Sequence, residues 1–283
     1  MRRLIYFIMA TLGLIALSCT KSESKDSPKD NLKGYEMEFK GKMMNYVESF
    51  RIDGDTIFPD SIYAQNSVSI YWIDNIGSIE MQDLHSHLLK SIFNNDSLTL
   101  LQNIKSFLKD SIGYEGNGKL ASIDALPAKV YPMFAANKTA AVTTFTDKLL
   151  VYTITSDGYT GGAHGWTKIN YLNYNLKDKC PITFSDLFIK GKEKEILSAI
   201  KVALLLQNGA TTDKEMGDKG FFGLDSMKVT KDFALSKNTV TFTYGQYELG
   251  CFALGIVNIP VPISNLAEYL TPKYKEFFAD QIN

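Results

Sequence analysis

Histidine is nearly missing from this chain: there are three, His85, His87 and His164, in 283 residues. An imidazole-based metal centre would need all of them. His85 and His87 stand two apart in a segment of helical spacing, which turns them to different faces rather than toward one ion. No metal site is expected, and without a His-Glu-x-x-His pair zinc-protease chemistry has no support. Also absent are a Gly-x-Ser-x-Gly elbow for a serine nucleophile and the lysine and Ser/Thr of a Walker phosphate loop. No cofactor and no catalytic residue is assigned.

Cysteine is nearly as scarce. Beyond Cys19 only Cys180 and Cys251 occur, too few for a disulfide framework in a protein of this size. The two could pair in an oxidising compartment or remain thiols. Neither lies beside a histidine in sequence, which argues against a catalytic thiolate. Charge of one sign is missing too: 30 basic and 31 acidic side chains give a net charge of −1, and no long block follows the N-terminal region. The electrostatic footprint that nucleic-acid binding requires is absent.

No apolar run is long enough to span a bilayer, which takes about 20 residues. The nearest is Leu4 to Leu17, behind Met1-Arg2-Arg3 and ahead of Ala16-Leu17-Ser18-Cys19. Basic end, apolar core and small residue before a cysteine are the order of a lipoprotein signal peptide. Residues 1–18 therefore read as a signal peptide and Cys19 as the lipidated residue. Residues 19–34, rich in Lys, Ser, Glu, Asp and Pro, read as a flexible tether that cannot offset its own ordering entropy. The expected location is the bacterial cell envelope, outside the cytoplasm, with membrane contact through the lipid only.

What remains has the composition of a normal globule, 45% hydrophobic and 12% aromatic. Alternation marks strands near Tyr35–Arg51, Ser67–Trp72, Ala128–Phe134, Ala141–Phe145, Leu149–Ser156, Trp166–Leu176, Lys228–Ser236, Thr239–Tyr244 and Ile256–Val261. Helical spacing marks a segment after Ile79, one starting at Asp96 as N-cap, and Glu193–Gln207. Asn208–Gly220, polar and glycine-bearing, reads as a mobile loop. Strands in runs with interspersed helices make the class α+β, with antiparallel sheets, a few packed helices and two closely associated subdomains, 35–148 and 149–283.

The most unusual passage is Asp157-Gly158-Tyr159-Thr160-Gly161-Gly162-Ala163-His164-Gly165. Glycine at this density carries an entropic cost, tolerated where the backbone needs positive φ or close approach. It is either a structural crossover between two strands or a binding loop presenting Tyr159, Thr160 and His164. Tyr244, Tyr247 and Phe252 form an aromatic cluster that suits a core or a protein-facing patch. Asp225 and Glu248 are the acids to inspect for glycosidic chemistry, whose carboxylate separation sequence does not reveal.

The run Tyr159 to Gly165, the strand Tyr171-Leu172-Asn173-Tyr174-Asn175-Leu176, the connector Ile182-Thr183-Phe184-Ser185-Asp186-Leu187-Phe188, and then Val240 to Tyr244, Tyr247-Glu248 and Gly255 to Pro260 together resemble the RsiV-like domain. The similarity covers about Leu149 to Leu270. Tyr35 to Ser156 is similar, more weakly, to the PdaC-type companion domain that precedes it. That family includes the extracellular part of a lysozyme-sensing anti-sigma factor and the non-catalytic part of a polysaccharide deacetylase. The resemblance implies an envelope binding domain with a lysozyme-like protein or peptidoglycan as ligand, contacted by Tyr159, Thr160, Gly161, Gly162, His164, Tyr247 and Glu248. The chain departs from those relatives in having no transmembrane helix, sigma-binding segment or deacetylase domain, so neither activity is carried over. The alternative is a glycan-acting hydrolase with paired carboxylates.

Overall fold

The computed structural model describes residues 39–282 except 59, 78–80 and 111–112. The expected signal peptide, Cys19 and the tether lie outside the described residues, as do Tyr35 and Ile79. The chain opens with two long strands, β1 (Phe39–Asp53) and β2 (Ile62–Ile76), then α1 (Gln82–Phe93) and α2 (Leu100–Asp110), then β3 (Lys119–Ile123), β4 (Phe134–Phe145), β5 (Leu149–Tyr159), β6 (Trp166–Asn175) and β7 (Cys180–Pro181). These strands form one sheet in the order β3-β1-β2-β4-β5-β6-β7.

The α+β class is the one observed, but one pairing departs from the antiparallel rule: β2 and β4 run parallel, Ala64 opposite Phe134. Parallel neighbours need a long crossover, and the segment carrying α1 and α2 supplies it. Leu84, Leu88, Leu89 and Ile92 of α1 are buried, as are Ile104 and Leu108 of α2. The start of α2 lies later than Asp96. Thr99 caps it: its Oγ1 accepts from Gln102 N–H at 3.4 Å while the Gln102 amide oxygen accepts from Thr99 N–H at 2.9 Å, a reciprocal box.

The remaining elements are α3 (Phe184–Leu187), α4 (Glu193–Gln207), α5 (Asp213–Asp218), β8 (Phe233–Leu235), β9 (Thr239–Tyr244), β10 (Val257–Pro262), α6 (Pro272–Phe277) and α7 (Ala279–Ile282), with 3₁₀ turns at Phe252–Leu254 and Ile263–Tyr269. Strands β8, β9 and β10 make a second, antiparallel sheet with β9 in the middle. The expected mobile loop 208–220 contains α5, capped by Thr212 and fixed by the fully buried Met216; a single apolar anchor is too little for periodicity to register.

Strand β5 sits between two cores. Leu149 and Val151 belong to the apolar cluster with Ile196, Ile200 and Leu204 of α4 and Phe242 and Ile259 of the small sheet. The intervening Leu150, Tyr152 and Ile154 are also fully buried, on the other face. Burial pushes the Tyr152 phenol far above its usual range, and its hydroxyl donates to the Tyr71 carbonyl at 2.9 Å. The position 148/149 falls in the β4–β5 hairpin turn, inside one continuous sheet. No helix among the described residues is long and apolar enough to cross a membrane.

Two buried asparagines tie these layers. Asn66 donates to Leu108 C=O (2.9 Å) and accepts from Ala136 N–H (3.1 Å), joining α2 to β2 and β4. Asn173 of β6 donates to Phe233 C=O (2.8 Å) and accepts from Leu235 N–H (2.7 Å), joining the two sheets. Asn173→Ala orphans a buried carbonyl and a buried N–H, each costing about 1–3 kcal/mol. Urea denaturation is expected to show a loss in that range or its double; a loss below about 0.5 kcal/mol, the size of a neutral surface change, would show that the sheets do not depend on it.

Candidate functional site

The glycine passage is a hairpin tip. Strand β5 continues to Tyr159 and β6 begins at Trp166, with Gly158 opposite Trp166. Glycine is required in two different ways here. Gly161 and Gly162 have φ of +90° and +97° in open space, so the turn needs their conformational freedom. Gly158 and Gly165 are needed for close approach: a Cβ on Gly158 would lie 2.5 Å from the Ala135 carbonyl, and one on Gly165 would lie 2.6 Å from the Gly158 carbonyl. The Tyr159 hydroxyl folds back and donates to Gly162 C=O at 2.7 Å. Thr160 closes against Gly113, where a Cβ would meet its Cγ2 at 2.5 Å.

His164 is exposed at this tip and meets the loop that joins β9 to β10. Its Nδ1 lies 3.0 Å from the Gly165 carbonyl and its Nε2 lies 2.9 Å from the Tyr247 hydroxyl. A carbonyl only accepts, so Nδ1 carries the proton; in the neutral ring Nε2 is then the acceptor and Tyr247 the donor. The imidazole stacks on Phe252 with centroids 3.7 Å apart at 16°. Tyr247 lies 5.9 Å from both rings, tilted 42° to His164 and 40° to Phe252. The three rings form a platform at the surface, with Tyr247 54% exposed.

Tyr247 is held in an unfavourable conformation, φ +67°. A non-glycine residue there costs on the order of 1–3 kcal/mol and persists only where its surroundings impose it. The turn supplies that: Gly245 N–H donates to the Glu248 carboxylate at 2.8 Å, and Glu248 N–H to Gly245 C=O at 3.2 Å. Gln246, between them, accepts from Thr167 N–H at 3.0 Å and fastens the loop to the edge of β6.

Of the residues singled out in the sequence, His164 and Tyr247 are brought into contact across 83 positions. Glu248 shapes the turn beneath them, Gly161 and Gly162 form the open tip, Tyr159 is engaged with Gly162, and Thr160 faces Gly113. Phe252 joins the platform, whereas Tyr244 is buried away from it with its hydroxyl on Lys228 C=O. Gln246 carried no sequence signal, since its role is a contact to a backbone N–H 79 residues distant.

Asp225 and Glu248 are both exposed, and among the described residues no hydrogen bond or ion pair joins them. The carboxyl that does feel Glu248 is Asp232, pushed up chiefly by burial, with Lys168 opposing and Glu248 adding to the rise. His85 and His87 serve different surroundings: His85 Nε2 lies 2.8 Å from Ile73 C=O with its ring stacked on Trp72, while His87 faces Tyr174. Cys180 and Cys251 are both free thiols, and burial raises the Cys180 thiol above its usual range.

Residues 185–264 match a protein family of unknown function, DUF3298. The chain is similar to two solved structures of that family. One, from Bacteroides fragilis, is 19% identical with a TM-score of 0.64, covering 87% of this chain and 98% of that one. The other, from Pseudomonas aeruginosa, is 15% identical with a TM-score of 0.53, covering 84% and 95%. At these identities the likeness is one of fold. No functionally curated protein matches.

The two kinds of glycine predict different responses. Gly158→Ala drives a methyl into the Ala135 carbonyl and to within 3.0 Å of the Trp166 ring; it is expected to cost about 1–3 kcal/mol and to shift Trp166 fluorescence. Gly161→Ala meets nothing within 4 Å and should cost about 1–2 kcal/mol through φ alone, leaving the emission unchanged. Equal spectra for both variants would contradict this account.

Proposed function

We propose that this protein is a lipid-anchored binding protein of the bacterial cell envelope whose recognition surface is the His164–Tyr247–Phe252 platform. The observation that carries the reading is the platform's exposure. Aromatic rings of a structural crossover would turn into the core, whereas Tyr247, on its strained turn, and His164 are exposed and Phe252 is half-buried against them. Such rings give rigid contact area at low entropic cost, the chemistry of protein hot spots and of stacking on sugar faces. The similarity of Tyr159–Gly165 and Tyr247–Glu248 to the RsiV-like domain supports a lysozyme-like protein or peptidoglycan as ligand, and the Ala16-Leu17-Ser18-Cys19 order supports the anchor.

A second reading, a glycan-acting hydrolase with paired carboxylates, would draw on Asp232, whose carboxyl is pushed up chiefly by burial, with Lys168 opposing and Glu248 the smallest cause. Glu248 is however already committed to Gly245 N–H, so binding is preferred. Release of reducing ends from peptidoglycan, abolished by Asp232→Asn, would reverse that preference.

Calorimetric titration with lysozyme and with soluble peptidoglycan fragments tests the binding reading. One of them is expected to bind, and Tyr247→Ala or Phe252→Ala to weaken it about thirtyfold, the loss of one aromatic anchor of roughly 2 kcal/mol. If the unaltered protein binds neither, the ligand classes fall. Separately, radiolabelled fatty acid should enter the protein in cells and sediment with membranes, and Cys19→Ala should lose both label and sedimentation; a labelled Cys19→Ala protein would refute the anchor.

A further inference from the structure

Strand β6 is the last long strand of the large sheet, and its outer edge is closed only at its ends. At one end Gln246 accepts from Thr167 N–H; at the other, Ile182 N–H donates to Asn173 C=O at 2.7 Å. Strand β7 pairs only with Tyr174 and Asn175. Successive residues of a strand turn their N–H and C=O groups to opposite edges. Thr167 and Asn173 both point outward and the β5–β6 register is unbroken, so Ile169 and Tyr171 point outward as well. No hydrogen bond to the backbone groups of either residue occurs on that side among the described residues.

A cavity of about 730 Å³ opens at the Tyr171–Asn173 end of this gap, the size of a ligand site rather than a packing defect. Its wall is apolar, with Ile182, Phe184, Phe188 and Phe233. Its rim carries Lys90, Lys190 and Lys231 against Glu193 and Asp232. None of the three ammonium groups makes an ion pair among the described residues, and they outnumber the two carboxylates of the lining, Glu193 and Asp232. The local charge is therefore positive.

We propose that the Ile169–Tyr171 edge is a docking strand for an extended acidic peptide segment of a partner. Its backbone adds to β6, an apolar side chain enters the cavity, and a carboxylate meets the lysine rim. Four outward backbone groups, two donors and two acceptors, ask for an extended main chain and for no other ligand shape. The capped ends, Thr167 and Asn173, lie six residue steps apart with five residues between them, about 20 Å of strand, which limits the occupant to a short segment. This surface is separate from the aromatic platform and does not rest on the function proposed for it.

The test uses the full chain and a fluorescein-labelled octapeptide of alternating glutamate with valine and phenylalanine, beside its lysine-for-glutamate counterpart, read by anisotropy and amide hydrogen exchange. The acidic peptide should bind saturably and slow exchange at the Ile169 and Tyr171 amides, with the basic peptide at least tenfold weaker. Ile169→Pro removes one outward donor, a change an edge strand tolerates, and should reduce affinity at least tenfold; Lys90→Glu with Lys231→Glu, which leaves the strand untouched, should do the same. Tyr247→Ala should leave peptide affinity unchanged, which separates this site from the platform. Absence of saturable binding, equal binding of both peptides, or undiminished binding by the charge-reversed variant overturns the proposal. A concentration-dependent dimer in sedimentation that Ile169→Pro dissolves would assign the edge to a second copy of the chain instead.

Discussion

The most fully buried polar link between the two sheets is one amide. Asn173 is a residue of β6, yet both ends of its side chain bond to β8, at Phe233 C=O and Leu235 N–H. The side chain thereby does what a neighbouring strand would do, supplying one donor and one acceptor at strand spacing. A second link runs alongside: the Tyr171 hydroxyl lies 2.8 Å from Thr243 Oγ1, which donates to Asn258 Oδ1 at 2.7 Å. The two Asn173 bonds are made where water is excluded, so each is stronger than at the surface and more costly to break. Since the hairpin bearing His164 grows from the large sheet and the turn bearing Tyr247 and Phe252 from the small one, the platform can be no better defined than this joint.

The platform is accordingly a long-range product held by short-range means. Gly161 and Gly162 allow the tip to turn, Gly158 and Gly165 allow its strands to approach, and Glu248 closes the turn that forces Tyr247 to positive φ. Gln246 then pins that turn to β6. A strained, half-exposed tyrosine is a poor choice for stability alone, because glycine at the same position would relieve the backbone and few buried contacts would be lost. Its ring is what glycine would remove, and the ring is the part that faces solvent.

Much of this was legible in the sequence wherever it depends on local periodicity. The bounds of α4 follow from Ile196, Ile200 and Leu204, the presence of α1 after Ile79 from Leu84, Leu88, Leu89 and Ile92, and the density of glycine marked the hairpin tip. Pairing was not legible: β2 and β4 are parallel because the helices between them cross over, and no residue in either strand encodes that choice. Helix α5 escaped because Met216 is its only buried residue. Half of the candidate site could be marked at Tyr159–His164 and half at Tyr247–Glu248, yet their contact, the help of Phe252 and the clamp from Gln246 come from folding, not from spacing. The cavity beside β6 left no sequence trace, since four separate segments contribute its wall.

Strand β6 also shows how an exposed edge can be kept without becoming a general hazard. An open row of N–H and C=O groups invites any extended chain, and proteins limit it by shortening, covering or charging the edge. Here Gln246 covers one end, β7 and Ile182 cover the other, and lysines flank what is left. A window of two outward-facing residues gives too few backbone bonds to hold a random strand against the entropy of ordering it. Binding there must draw on something more than the main chain, and the further resources that the described residues offer at that position are the apolar cavity and the ammonium groups at its rim. The same features that protect the edge therefore make it selective, because a segment that cannot fill the cavity or answer the charge gains too little to stay.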